Sequence, residues 1–294
     1  MKRLKLFLKI VAGFIGLFFL VLLTTVLLLN YNQKSLTQTF IENLNEGFNG
    51  ELTLEDSRIS LFKNFPYISI DLQNITFYGD KTIAGDTLRD NSIYQANDIY
   101  IGFDIIDIIK GNYSIKSLKI EGGHLNIVQY ENGDINLMLA KGLSEMADKN
   151  DDAEEKSFNI DLKKLTLLDF KISRHDEASG QTLVFDIDDI ETSFRMHEGH
   201  IYTTFHTHYI LDIIEKDDSS IFREKHFQID SELDYDSHTE ILTITSGHIV
   251  MEDGVFGIHG HVDFDDDYEM DLKLTGDKPD FDLIIAFLPT DVAT

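Results

Sequence analysis

Across most of this chain apolar side chains fall on every second position, and that period of two decides what the chain can fold into. Ile68, Ile70 and Leu72 share a parity, with Ser69 and Asp71 between them. Ile190, Phe194 and Met196 alternate with Glu191, Ser193 and Arg195. Phe256, Ile258, Val262 and Phe264 alternate with His259, His261, Asp263 and Asp265, and Met270, Leu272 and Leu274 with Asp271 and Lys273. Between Phe227 and Tyr235 the apolar members are Phe227, Ile229, Leu233 and Tyr235, read with a change of parity absorbed at Ser231. A strand turns successive side chains to opposite faces, so such alternation describes antiparallel sheet with one apolar and one wet face. Turn clusters such as Glu131-Asn132-Gly133-Asp134 and Ser179-Gly180 separate the segments. Alternation alone points to a sandwich in which two apolar faces cover each other. It does not separate that from a curved sheet whose apolar face lines an open groove, although the sandwich is the first expectation.

Helical signals are few. From Ile10 to Leu29 there are twenty residues without a charge, mostly Leu, Val, Ile and Phe. As a helix, at about 1.5 Å per residue, that run spans roughly 30 Å, the thickness of a bilayer core. It is longer than the usual apolar core of a signal peptide and ends without a small-x-small cleavage site, so it reads as a retained anchor. Lys2, Arg3, Lys5 and Lys9 precede it, which places the N-terminus in the cytoplasm and the rest of the chain across the membrane. Leu36, Phe40, Ile41, Leu44 and Phe48 then repeat at helical spacing until Asn49-Gly50. Phe103–Lys110 reads as one or two helical turns between strands, and 137–149 as another short helix. Ala147 to Lys156, almost all charged or small, reads as an exposed linker.

Charge and cysteine content exclude whole classes of function. The chain has 52 acidic against 25 basic residues, and four of the basic ones lie ahead of the apolar run. A field of that sign repels phosphate backbones, so nucleic acid is excluded as a partner. With no cysteine there is no disulfide, thiol nucleophile, thiolate metal site or lipidated cysteine.

Catalytic constellations are missing too: no Gly-x-Ser-x-Gly elbow, no glycine-rich phosphate loop and no His-Glu-x-x-His helix occurs. The acidic run from Asp263 to Glu269 spaces carboxylates like a calcium loop but has Tyr268 and Leu274 where Gly and Glu are required. Two histidine pairs, His206 with His208 and His259 with His261, each fall on one face of a strand and could offer two nitrogens to a metal. They read first as wet-face residues, and the two pairs are not expected to converge. His197 and His200 flank Glu198-Gly199, which has the look of a turn. The expectation is no enzyme, no cofactor and no metal.

The order of features resembles the AsmA-like family of diderm envelope proteins (the AsmA/TamB type), specifically its long Bacteroidetes-type forms. Two blocks carry the likeness. LTLEDSRISLFKNFPYISIDLQNITFYG, Leu52 to Gly79, is similar to the family's opening strand, Phe-Pro corner and strand. ANDIYIGFDIIDIIKGNYSIKSLKIEGGHLNIVQYENGDINL, Ala96 to Leu137, is similar to its next element, with Gly133-Asp134-Ile135-Asn136 matching the frequent Gly-x-x-Asn. The resemblance covers residues 1–140 best and is weaker from 157 on. It implies a mainly β fold: an N-terminal transmembrane helix, then a long, curved, largely antiparallel sheet forming an open groove, with a few short helices.

The implied organisation is a cytoplasmic basic segment (1–9), a single-pass anchor in the bacterial inner membrane (10–29), an amphipathic helix or linker (30–49), a first β module (50–141), an acidic linker (142–156) and a second β module (157–294) expected to be incomplete at its C-terminus. The implied role is handling or transport of phospholipid in the periplasm in support of outer-membrane assembly, with outer-membrane or periplasmic assembly proteins as further partners. Acyl chains would then lie against Ile68, Ile70, Leu72, Phe194, Met196, Phe227, Ile229, Phe256, Ile258, Val262, Phe264, Leu272 and Leu274. The alternatives are a non-catalytic envelope tethering module with a closed sandwich core, and a membrane-anchored hydrolase with converging histidines and carboxylates.

Overall fold

The computed structural model describes residues 51–79, 92–139, 160–216, 220–252, 254–264 and 269–276, with Val21, Leu23, Thr24 and Leu27. Those four are helical. The basic segment 1–9, the rest of the expected anchor, the amphipathic segment 30–49 and the linker 142–156 lie outside the described residues. Among the described residues no helix is long and apolar enough to cross a membrane.

The chain forms one large, curved, open sheet of twelve strands. Its strands are β1 (Glu51–Thr53), β2 (Asp56–Ser60), β3 (Ile68–Tyr78), β4 (Ser92–Phe103), β5 (Ile115–Gln129), β6 (Ile160–Asp176), β7 (Thr182–His197), β8 (His200–Ile214), β9 (Ser220–Asp236), β10 (Ile241–Met251), β11 (Gly254–Asp263) and β12 (Met270–Gly276). From β3 to β12 each strand pairs with the next in sequence, while β1 and β2 lie end to end along the free edge of β3. All pairs are antiparallel except β5 with β6. That parallel pair joins the two expected β modules into one sheet. The turn expected at Glu198-Gly199 is there: both residues have positive φ (51° and 84°) and join β7 to β8 as the twist of a two-residue hairpin requires.

Cross-strand partners share a face, so the register sorts every side chain. One face carries Leu167, Ile190, Thr207, Ile229, Ile249 and Phe256 in one row across β6 to β11. The opposite face carries Glu191, His206, Asp230 and His248 in the next row. The parity of the apolar face does not hold along each strand, however. On β3 it passes from Ile68, Ile70 and Leu72 to Ile75 and Phe77; on β5 from Leu118 and Ile120 to Gly123 and Leu125; on β6 from Leu165 and Leu167 to Phe170 and Ile172.

The switch occurs on one line of residues running across the sheet: Asn74, Asn97, Gly122, Asp169 and Asp188, each skipped by the ladder. Asn74, Gly122 and Asp169 have φ of 50°, 70° and 50°, so the backbone turns over there and two consecutive residues face the same way. Gln73 with Asn74, and Asp98 with Asn97, accordingly line one polar recess. The line ends at Asp188, an extra residue on β7 with no counterpart on β8. Such bulges bend a strand and sharpen its twist. Further along, the expected parity change at Ser231 is not there: Phe227, Ile229, Ser231, Leu233 and Tyr235 all share the apolar face. The serine is a small polar residue in an apolar row.

The densest core lies at the β3–β5 end, where Ile68, Ile70, Leu72, Ile75, Ala96, Ile99, Ile101, Phe103 and Ile115 pack with Ile108. Ile108 belongs to helix α1 (Ile105–Ile109), which Asp104 starts by accepting the Ile106 and Asp107 N–H groups at 2.7 and 3.2 Å. This is the short helix expected at 103–110. Of the expected helix at 137–149, the described part is α2 (Asn136–Leu139). On the polar face of the same end, Asn64 clamps the Phe-Pro corner down. It donates to Ser69 Oγ at 3.1 Å and accepts from Ser117 Oγ at 3.0 Å, and all three residues are buried. Among the described residues the extensive contacts between elements are those of sheet neighbours and of α2 with β5, so no second layer of described strands packs on the sheet beyond β5, although Phe170, Ile187, Met251 and Phe256 on its apolar face are buried. The sandwich that alternation alone suggested is therefore not formed by the described strands.

Candidate functional site

Two surfaces carry chemistry, one on each face. On the apolar face, Phe194 lies on β7, Phe227 and Ile229 on β9, Phe256, Ile258 and Val262 on β11, and Leu272 and Leu274 on β12, all on the shared parity. Met196 follows Phe194, and Phe264 meets Tyr235 edge-on at 6.4 Å. The register thus brings these ten candidates to one side. Their exposure is uneven, from Phe256 at 6 % through Leu272 at 40 % to Met196 at 67 %. Ile68, Ile70 and Leu72 share the face but are fully buried. With Ile108 sealing their end of the sheet, they belong to the closed core rather than to any open surface.

Residues that periodicity did not single out complete this face. Phe185, Tyr209 and Phe227 follow one another across β7, β8 and β9: Phe185 meets Tyr209 at a tilt with centroids 5.7 Å apart, and Tyr209 stacks on Phe227 at 5.0 Å. Tyr94 meets Phe170 at 5.8 Å, and burial pushes its phenol up to about 12. Arg174 and Lys225 interrupt the apolar rows at positions opposite Leu183 and Leu211. Each is legible only once the register is known.

The polar face holds a histidine–carboxylate array. His206 and His208 stand two apart on β8; β7 sets Glu191 opposite His206 and Asp189 opposite His208; β9 sets Asp230 and Gln228 opposite the same pair. His208 Nδ1 lies 2.7 Å from Asp189 Oδ1, and His206 Nδ1 is hydrogen-bonded to Asp230 Oδ1. Gln228 donates to the other Asp230 oxygen at 3.0 Å. The hydrogen bond to Asp189 raises the pKa of His208 above the ordinary imidazole value, and the hydrogen bond from His206 holds Asp230 below the usual carboxylate range. A depression of about 800 Å³ opens beside the array, bordered by Lys164, Glu191, His206, Asp230 and His248.

His259 and His261 sit on the same polar face but on β11, three strands from β8. At about 4.8 Å per strand that is roughly 14 Å, so the two histidine pairs do not converge. No protein-family model, no curated protein and no solved structure matches the chain.

Proposed function

We propose that this chain is an inner-membrane-anchored periplasmic protein of AsmA-like type, handling phospholipid by holding acyl chains along the apolar face of its sheet. The observation behind the reading is that this face, from β6 to β12, has no protein layer over it among the described residues. Sheets ordinarily bury an apolar face against another element. On this face Phe185, Tyr209, Phe227, Ile229, Ile249 and Ile258 are half-buried, while Met196, Phe264, Met270, Leu272 and Leu274 are exposed; apolar surface of that extent in water favours an apolar partner lying on it.

Acyl chains fit on three grounds. The apolar run 10–29 tethers the sheet beside a bilayer. At about 0.8 kcal/mol per buried CH₂, a strip without specific polar contacts holds a chain while many near-equivalent positions let it slide. The sheet's long dimension, at about 4.8 Å from strand to strand, is roughly 50 Å and exceeds an extended acyl chain. The reading rests on the apolar rows; the depression on the polar face plays no part in it.

The test is native mass spectrometry of the full chain released from bacterial membranes in mild detergent, with extraction of co-purifying lipid. Bound phospholipid, lost when Ile258, Val262 and Phe264 are changed to Asp while the strand content is kept, is the expected result. A lipid-free protein whose apolar face still resists labelling would replace this reading with the tethering module.

A further inference from the structure

We propose that Asp189, His206 and His208 form a zinc(II) site on the polar face of the sheet, with Asp230 orienting His206. The site is independent of the lipid reading, because it stands on the opposite face and needs no apolar surface.

The geometry is that of a site held by backbone register. Two residues apart on β8, both imidazoles leave the sheet on the same side, with ring centroids 4.5 Å apart and rings nearly perpendicular. Asp189 is the direct cross-strand partner of His208, and its Oδ2 stands 3.7 Å from His206 Nε2. One ligand atom from each of the three residues lies within 4.8 Å of the other two. Tetrahedral ligands at about 2.0–2.1 Å from zinc are roughly 3.3 Å apart. To reach that separation the His206 Nε2–Asp189 Oδ2 distance of 3.7 Å shortens and the His208 Nδ1–Asp189 Oδ1 distance of 2.7 Å lengthens, changes on the scale of side-chain rotation.

Asp230 supplies the support such sites use. A ligating imidazole commonly gives its other N–H to a carboxylate, which fixes the tautomer and leaves the free nitrogen as a good donor. The His206 Nδ1–Asp230 hydrogen bond is of that kind and leaves Nε2 directed toward Asp189. Gln228 in turn holds the second Asp230 oxygen. His200 and Asp234, another His–Asp pair on β8 and β9, share a hydrogen bond at 2.9 Å, and His197 is the cross-strand partner of His200; yet among the described residues they do not form a group of three converging ligand atoms, so the array is more than the local habit of the sheet.

Two imidazoles and one carboxylate select a borderline transition ion over calcium or magnesium, which take oxygen ligands. Three protein ligands leave the fourth position to water or an outside anion, facing solvent. The side chains of His206, His208 and Asp189 are 37 %, 38 % and 26 % exposed, so an ion reaches them without opening the fold.

The experiment is titration of the chelator-stripped full chain in detergent with cobalt(II), read by visible absorption, and with zinc(II), read by calorimetry. One equivalent of each binding at the same site is expected. His206→Gln and His208→Gln should each weaken binding at least tenfold, and Asp230→Asn about tenfold. The double variant His259→Gln with His261→Gln should bind as the parent does. Histidine modification of the unmutated chain, mapped by mass spectrometry, covers the case of a variant that does not fold. Zinc should protect His206 and His208 and leave His259 and His261 reactive. No binding in the micromolar range, equal affinity in the His206→Gln variant, or protection spread evenly over all four histidines would each overturn the site.

Discussion

Gly122 on β5 and Asp169 on β6 lie side by side where the parallel ladder skips from the Glu121–Leu168 pair to the Gly123–Phe170 pair, and both have positive φ. The two strands turn over together. Ile120 and Leu125, of opposite parity on β5, therefore reach the same face, as do Leu167 and Ile172 beside them on β6. Position 169 should respond to substitution through backbone conformation rather than through side-chain contacts. Asp169→Gly should leave the urea midpoint at or slightly above that of the parent, because glycine adopts φ near +50° freely. Asp169→Val should lower stability by about 1–3 kcal/mol, since a β-branched residue is strained there. Equal midpoints for the two variants would show that the positive φ is not what the position requires.

Asn136 stands in for a missing strand. Its Oδ1 accepts from the Val128 N–H and its Nδ2 donates to the Asn126 carbonyl, both at 2.9 Å, on the edge of β5 beyond the last β4 pairing at Leu125. Asn136→Ala loses both hydrogen bonds and should cost about 1–3 kcal/mol, as read by urea unfolding. Asn136→Asp keeps the acceptor, loses the donor and should fall between the parent and the alanine variant. Faster amide exchange at Val128 in the alanine variant alone is the local signature.

His200 gives the sheet a pH dependence. Its Nδ1 is 2.9 Å from Asp234 on β9; Asp236 on β9 and Glu198 in the turn add negative field, and Tyr202 stacks on the ring at 5.8 Å. Arg195, the nearby cation, sits over Tyr202. The hydrogen bond to Asp234 raises the His200 pKa above its ordinary value, so the folded state binds the proton more tightly than the unfolded chain does. That contribution is fully present below the unfolded value of about 6.5 and is lost as pH rises through the higher folded value. The urea midpoint of the parent should therefore fall more between about pH 6 and pH 8 than that of His200→Gln. Parallel curves would remove His200 from the pH response.

How much of this was legible in the sequence differs by level. Strand alternation, the turn at Glu198-Gly199 and the short helix after Phe103 depend on neighbours along the chain, and they are where the residues say. The parity inversions at Asn74, Gly122 and Asp169 were not legible, because a bulge in one strand makes sense only beside the bulge in the next. Ser231 misled for the converse reason: a polar residue in an apolar row imitates an inversion that the register does not contain. The pair His206 and His208 was visible as a pair, but Asp189 and Asp230 reach it across strands, from far before and far after it in the chain. Local pattern carries no record of that pairing.

The apolar face can be mapped without disturbing its chemistry, because the chain has no cysteine. Single cysteines at Phe194, Ile229 and Val262 lie on the apolar face, and at Ser193, Gln228 and His261 on the polar one. Each pair occupies adjacent positions of one strand, so local unfolding would change both members together. If acyl chains cover the face, adding phospholipid to the detergent-solubilised chain should slow maleimide labelling at positions 194, 229 and 262 and leave 193, 228 and 261 unchanged. A period of two in protection, repeated on β7, β9 and β11, cannot come from general tightening of the fold, which would slow both faces. Protection equal on the two faces, or absent from both, would leave the apolar rows to a protein partner instead.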